Sequence, residues 1–119
     1  MMIGIGDMEK FEAEETKEIS QEVLTGKAVY RANRLMIPSH IAFDFVIVSA
    51  SVKRKDVEAE VPLVSGGGTV PAVLYSETAF GLVPLELALH EGDVVKMKLR
   101  NLSKAPRQFS AALDCGTVR

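Results

Sequence analysis

From Ala28 onward, apolar and polar residues alternate with a period of two, and turn-forming residues recur every 8 to 12 positions. That rhythm constrains the fold more than anything else in the chain. Short alternating runs at this spacing are the mark of stacked antiparallel strands, and they leave no room for crossover helices. "HIAFDFVIVSASV" (40–52) is rich in β-branched and aromatic residues; Phe43, Phe45 and Ile47 are expected on one face and Asp44, Val46 and Val48 on the other. "KRKD" (53–56) reads as a charged turn. In "VEAEVPLV" (57–64), Val57, Ala59, Val61 and Leu63 alternate with outward Glu58 and Glu60, and Pro62 marks an edge strand or a strand end because it cannot donate to a ladder.

"SGGGTVP" (65–71) is expected to be a loop. "LVPLELAL" (82–89) points Val83, Leu85, Leu87 and Leu89 inward, and "EGD" (91–93) is a turn. "VVKMKLR" (94–100) places Val95, Met97 and Leu99 inside with Lys96, Lys98 and Arg100 outside, and "QFSAAL" (108–113) closes the series with Phe109, Ala111 and Leu113 inside. Five to eight short strands in 119 residues make one all-β domain, a β-sandwich or jelly-roll-like fold over residues 28–119.

Residues 1–27 differ. Residues 1–26 hold seven acids against Lys10 and Lys17, a balance of −5, whereas residues 27–119 carry a balance of +3. "DMEKFEAEETKEISQEVLTG" is rich in helix formers, with Asp7 as a possible N-cap and Gly26 as a stop. Its apolar positions (Met8, Phe11, Ile19, Val23 and Leu24) make only a thin stripe. The expectation is an acidic N-terminal arm, either a short helix or an extended segment ordered on a partner.

The chemical motifs are thin. "SGGG" is not followed by Gly-Lys-Ser/Thr, and "GIG" (4–6) lacks the third glycine and the strand–helix context of a dinucleotide fingerprint. Ser39 and His40 are sequence neighbours, which diverge on a strand, so they do not build a triad with Asp44. Glu58 and Glu60 read as a solvated face. No catalytic or cofactor-binding residue is expected. Cys115 stands alone, so no internal disulfide or cysteine-based metal cluster is expected either.

The stretch contains no apolar run of about 18 residues, and "MMIGIGDMEKFEAEE" lacks the basic start and long apolar core of a secretory signal. The expectation is therefore no membrane partner and assembly in a host cytoplasm. Nucleic acid is not expected: the basic stripe Lys96, Lys98 and Arg100 has no interleaved aromatics, and the net charge is −2.

Two resemblances add to this reading. "EGDVVKMKLRNLSKAPRQFSAAL" resembles the late strands of cupredoxins, in which the return strand starts with a copper-binding His just before the Phe. Here Arg107 and Gln108 stand before Phe109, and "CGTVR" after Cys115 supplies neither His nor Met. The resemblance implies a sandwich without the copper site. The plan of an acidic segment 1–26, then "RLMIPSHIAFDFVIVSASV", then "GDVVKMKLRNLSKAPRQFSAAL" resembles the small β-sandwich virion proteins of bacteriophages, the decoration or cement type. That resemblance implies a non-enzymatic subunit of a virion, a homo-oligomer and often a trimer, which clamps the major capsid protein or other virion subunits. On this expectation Met8, Phe11, Ile19 and Val23 anchor the arm on a neighbour, and its acids face Lys96, Lys98 and Arg100. The alternative is a soluble ligand- or carbohydrate-binding β-sandwich module using the 65–72 loop, with Tyr30 and Tyr75 as its polar-tipped aromatics.

Overall fold

The computed structural model describes residues 2–24, 26, 28–55, 60–63, 69–76 and 87–117. In chain order these form β1 (Met2–Phe11), β2 (Thr16–Glu22), β3 (Tyr30–Met36), a one-turn helix α1 (Ser39–Ala42), β4 (Phe45–Lys53), β5 (Glu60–Pro62), β6 (Val70–Pro71), a 3-10 turn (Ala72–Tyr75), β7 (Leu87–Leu89), β8 (Val94–Asn101) and β9 (Arg107–Thr117). The strands make two antiparallel sheets. The first runs β1-β9-β3-β7; the second runs β2-β8-β4-β5, with β6 also on β4.

The pairing is nested. β1 lies on β9, β2 on β8, β3 on β7 and β4 on β5, so the chain is a long hairpin rolled up on itself. This is the jelly-roll plan, with β6 as an extra short strand. The all-β expectation holds, and the number of strands among the described residues slightly exceeds the expected range.

Alternation places the core. Val95, Met97 and Leu99 from β8 meet Phe109 and Leu113 from β9, all fully buried. Phe11, Phe45 and Phe109 form an edge-to-face triad with ring centroids 5.0 to 6.3 Å apart. Burying each ring contributes about 1.5–3 kcal/mol, and each pair about 0.5–1.5 kcal/mol more. The β8 and β9 faces match their expected pattern. Pro62 lies in β5, an edge strand of the second sheet, as its missing N–H requires.

Two expectations are corrected. Residues 2–22 are neither a helix nor an appended arm: β1 and β2 are the edge strands of the two sheets, so the boundary near residue 27 does not separate an arm from a sandwich. Cross-strand pairing overrides the helix propensity of the Glu- and Lys-rich segment. The strand expected from His40 starts only at Phe45, because the chain turns through α1 after Pro38. Phe43, expected on one face with Phe45 and Ile47, is 75% exposed while those two are buried. A register shift between Ile47 and Ser49 then resets the alternation, and Ala50 and Val52 point inward. Of the expected 65–71 loop, residues 65–68 lie outside the described residues and Val70–Pro71 pair with β4 as β6. The first part of the expected 82–89 strand and Val57, Glu58 and Ala59 also lie outside them.

Candidate interaction surfaces

The corner between β8 and β9 is held by Asn101, a fully buried side chain. Its amide donates to the carbonyls of Glu12 (3.1 Å) and Ala105 (3.0 Å), and its oxygen accepts from the Ser103 N–H (2.9 Å). Backbone bonds from Glu14 N–H to the Ser103 carbonyl and from Asn101 N–H to the Glu15 carbonyl fasten the β1–β2 turn onto the same corner. Arg107, which with Gln108 precedes Phe109 at the start of β9, pairs through Nε with the Asp44 carboxylate at 3.2 Å. Among the described residues no three His, Cys, Asp or Glu side chains come together as a metal would need. The polar side chain at this corner, Asn101, is spent on backbone groups.

The interface residues expected from the sequence divide sharply. Phe11 and Val23 are fully buried and Ile19 nearly so, all within their own chain. They anchor β1 and β2 to the core and cannot also serve as exposed anchors on a neighbour. Met8 alone of the four is exposed, at 60%. Lys17 caps the phenylalanine triad, with its ammonium 4.6 Å from the Phe11 ring centre and hydrogen-bonded to the Lys10 carbonyl.

The basic stripe does face the acidic segment, but inside one molecule. In the β2–β8 register Glu18 lies opposite Lys98, Thr16 opposite Arg100 and Ser20 opposite Lys96. Lys96 binds Glu60 at 3.1 Å, and Ser51 Oγ donates to the same carboxylate at 3.2 Å. The hydrogen bond and charge of Lys96, helped by Ser51, hold the Glu60 carboxyl below the ordinary glutamate range. On the outer face of the second sheet Glu18 thus lies across from Lys98, and Lys96 pairs with Glu60, so acids and bases mix within one chain.

At the other end of the sandwich Arg54 joins the sheets. Its Nη1 donates to the Ala88 carbonyl and to Asp93 Oδ2, each at 2.6 Å, and lies 3.2 Å from His90 Nδ1. Asp93 is 2% exposed and also accepts from the His90 N–H at 2.9 Å. The sequence reading passed over this cluster because Arg54 and Asp93 each sit in what looked like an ordinary charged turn.

Of the remaining sequence candidates, His40 is exposed on α1 and Asp44 is engaged with Arg107. Tyr75 is buried, which pushes its phenol up and removes it as a surface on which a sugar could stack. Cys115 is buried, and desolvation raises its thiol.

An open hollow lies beside β1. It measures about 540 Å³ and is lined by Met2, Gly4, Gly6, Asp7, Glu22 and Leu24, together with Ile3, Gln21, Ser110 and Ala111. Met2 is 52% and Leu24 68% exposed, so apolar surface faces solvent at its rim. A smaller hollow of about 190 Å³, between Met36, Pro38 and Ala112, lies over the outside of the first sheet. No protein-family model matches this chain, and no curated protein matches it.

Proposed function

We propose that this chain is a non-enzymatic structural subunit of a viral particle, of the decoration or cement type, which works by burying surface against itself and against shell subunits. The observation that carries the reading is the nested strand order, since the jelly roll is a plan on which viral shell proteins are built. Fold analogy alone does not assign function. The surface adds support: the exposed apolar side chains Met2, Met8, Leu24, Phe43 and Leu102 sit at the edges and ends of the sandwich, where neighbours in a lattice would meet. Modest contacts repeated around a shell sum to high avidity.

The test is co-sedimentation. Intact particles from cells producing the chain are banded in a density gradient, and the ratio of this chain to the main shell protein is measured. A constant ratio across the particle band supports the reading. A chain that stays at the top of the gradient ends it.

A further inference from the structure

β1 is the last strand of the first sheet, and among the described residues nothing pairs with its outer edge. Sheets usually guard such an edge with charge, proline or a bulge. β1 has these guards only in its second half. Its register slips between Ile5 and Glu9, Gly6 and Met8 take φ of 69° and 54°, and the Met8 N–H turns inward to Ser110 Oγ at 2.8 Å. The first half, Met2 to Gly6, has no charge and no proline. Ahead of the positive φ at Gly6, Met2 to Ile5 offer about 13 Å of edge at strand spacing.

The hollow beside this edge has a definite chemistry. Asp7 and Glu22 line it, no basic side chain among the described residues does, and Met2 and Leu24 add exposed apolar walls. Its volume falls in the range of about 300–1,000 Å³ typical of binding sites. Gly4 keeps it open, since a Cβ added there would meet nothing within 4 Å.

We propose that the Met2–Gly6 edge is a docking site for an extended segment of a neighbouring protein, which adds a strand to the first sheet and directs a lysine or arginine toward Asp7 and Glu22. Main-chain hydrogen bonds supply the affinity of such strand addition, and the side-chain positions supply its selectivity. The occupant is basic because the hollow is acidic. A second copy pairing through the same edge would bring its own Asp7 and Glu22 to an acidic site. The inference rests on the structural-subunit reading and names the chemistry of the partner that subunit meets.

The experiment is a titration of the ¹⁵N-labelled full chain with three capped nonapeptides: alternating valine and lysine, alternating valine and glutamate, and the lysine peptide with a central proline. The lysine peptide should move the amide signals of residues 2–7, 22 and 24, and added salt should weaken it. The other two should leave those signals in place. Asp7→Asn with Glu22→Gln should weaken binding about tenfold, as the loss of two exposed ion pairs implies. Gly4→Leu, at a position where an added Cβ meets nothing within 4 Å, should abolish it; Leu24→Lys is a second, surface variant that should impair it.

Shifts scattered elsewhere, equal binding of the glutamate peptide, or unchanged binding by Gly4→Leu would overturn the proposal. Concentration-dependent shifts of the same signals without peptide would make a second copy the occupant and overturn it too. A chain that ignores the lysine peptide yet bands with particles refutes only the docking site. One that binds the peptide at this edge but never bands with particles refutes only the structural reading.

Discussion

The Arg54 guanidinium lies 2.6 Å from the Asp93 carboxylate, and the same nitrogen holds the Ala88 carbonyl, so a single side chain at the end of β4 fastens the second sheet to β7 of the first. The two ends of this contact are not equivalent. Asp93 has 2% of its side chain exposed and Arg54 24%. Removing the arginine leaves a buried charge without its partner, whereas removing the carboxylate leaves a guanidinium that water still reaches. Arg54→Met is therefore expected to cost about 3 kcal/mol, measured by urea unfolding. Asp93→Asn should cost clearly less, because its side-chain oxygen still accepts from the His90 N–H. Equal losses would show that the pair is not the asymmetric clasp described.

Asn101 supports the β8–β9 corner with three hydrogen bonds from a fully buried amide. At about 1 kcal/mol each, Asn101→Ala should cost about 3 kcal/mol. Asn101→Asp should do little better, since a carboxylate accepts from Ser103 but cannot donate to the Glu12 and Ala105 carbonyls. Faster amide exchange at Ser103 and through the 12–15 turn would accompany the loss. A change under about 1 kcal/mol would mean that the backbone alone holds the corner.

Acid should loosen the Lys96–Glu60 pair on the second sheet. The Glu60 carboxyl is held down by Lys96 in the folded chain, so its contribution is present above the ordinary glutamate value of about 4.3 and fades as pH falls through the lower folded value. A carboxyl-detected NMR titration should place the Glu60 midpoint below that ordinary value. Lys96→Met should move it upward. An unmoved midpoint would assign the depression to Ser51 instead.

Cys115 should resist modification. Its thiol is buried and pushed up by desolvation, so the reactive thiolate is scarce as well as shielded. Ellman's reagent should react with the native chain far more slowly than with the urea-unfolded chain. Comparable rates would put the sulfur at the surface.

The strands easiest to read in the sequence were those buried along one whole face. In β8 every second residue is core, and Val95, Met97 and Leu99 announce it. β2 was illegible for the opposite reason. It sits at a sheet edge, buries only Ile19 within its own span, and fills its other positions with Thr, Lys, Glu, Ser and Gln, so no alternation rises above the background. β1 was hidden because only Ile3, Ile5 and Phe11 are buried and the exposed run from Asp7 to Lys10 interrupts their alternation. Phe43 misled for a local reason: the turn after Pro38 reset the phase before the strand began. The charge split was legible, but its meaning was not. A sequence shows that acids and bases are separated along the chain; only the β2–β8 register shows that they meet within one molecule.

The nested strand pairing also dictates an order of events during synthesis. β1, β2 and β3 have their partners in β9, β8 and β7, so the first third of the polypeptide to leave the ribosome has nothing to pair with until the last third follows. Contacts this distant in sequence close slowly. Stalled nascent chains that stop before Val94 are expected to remain protease-sensitive throughout, and resistance should arrive in one step once Thr117 has cleared the exit tunnel. Until then the apolar side chains of the early strands stay open to solvent, which makes the unfinished chain a natural client for chaperones that shield extended apolar segments.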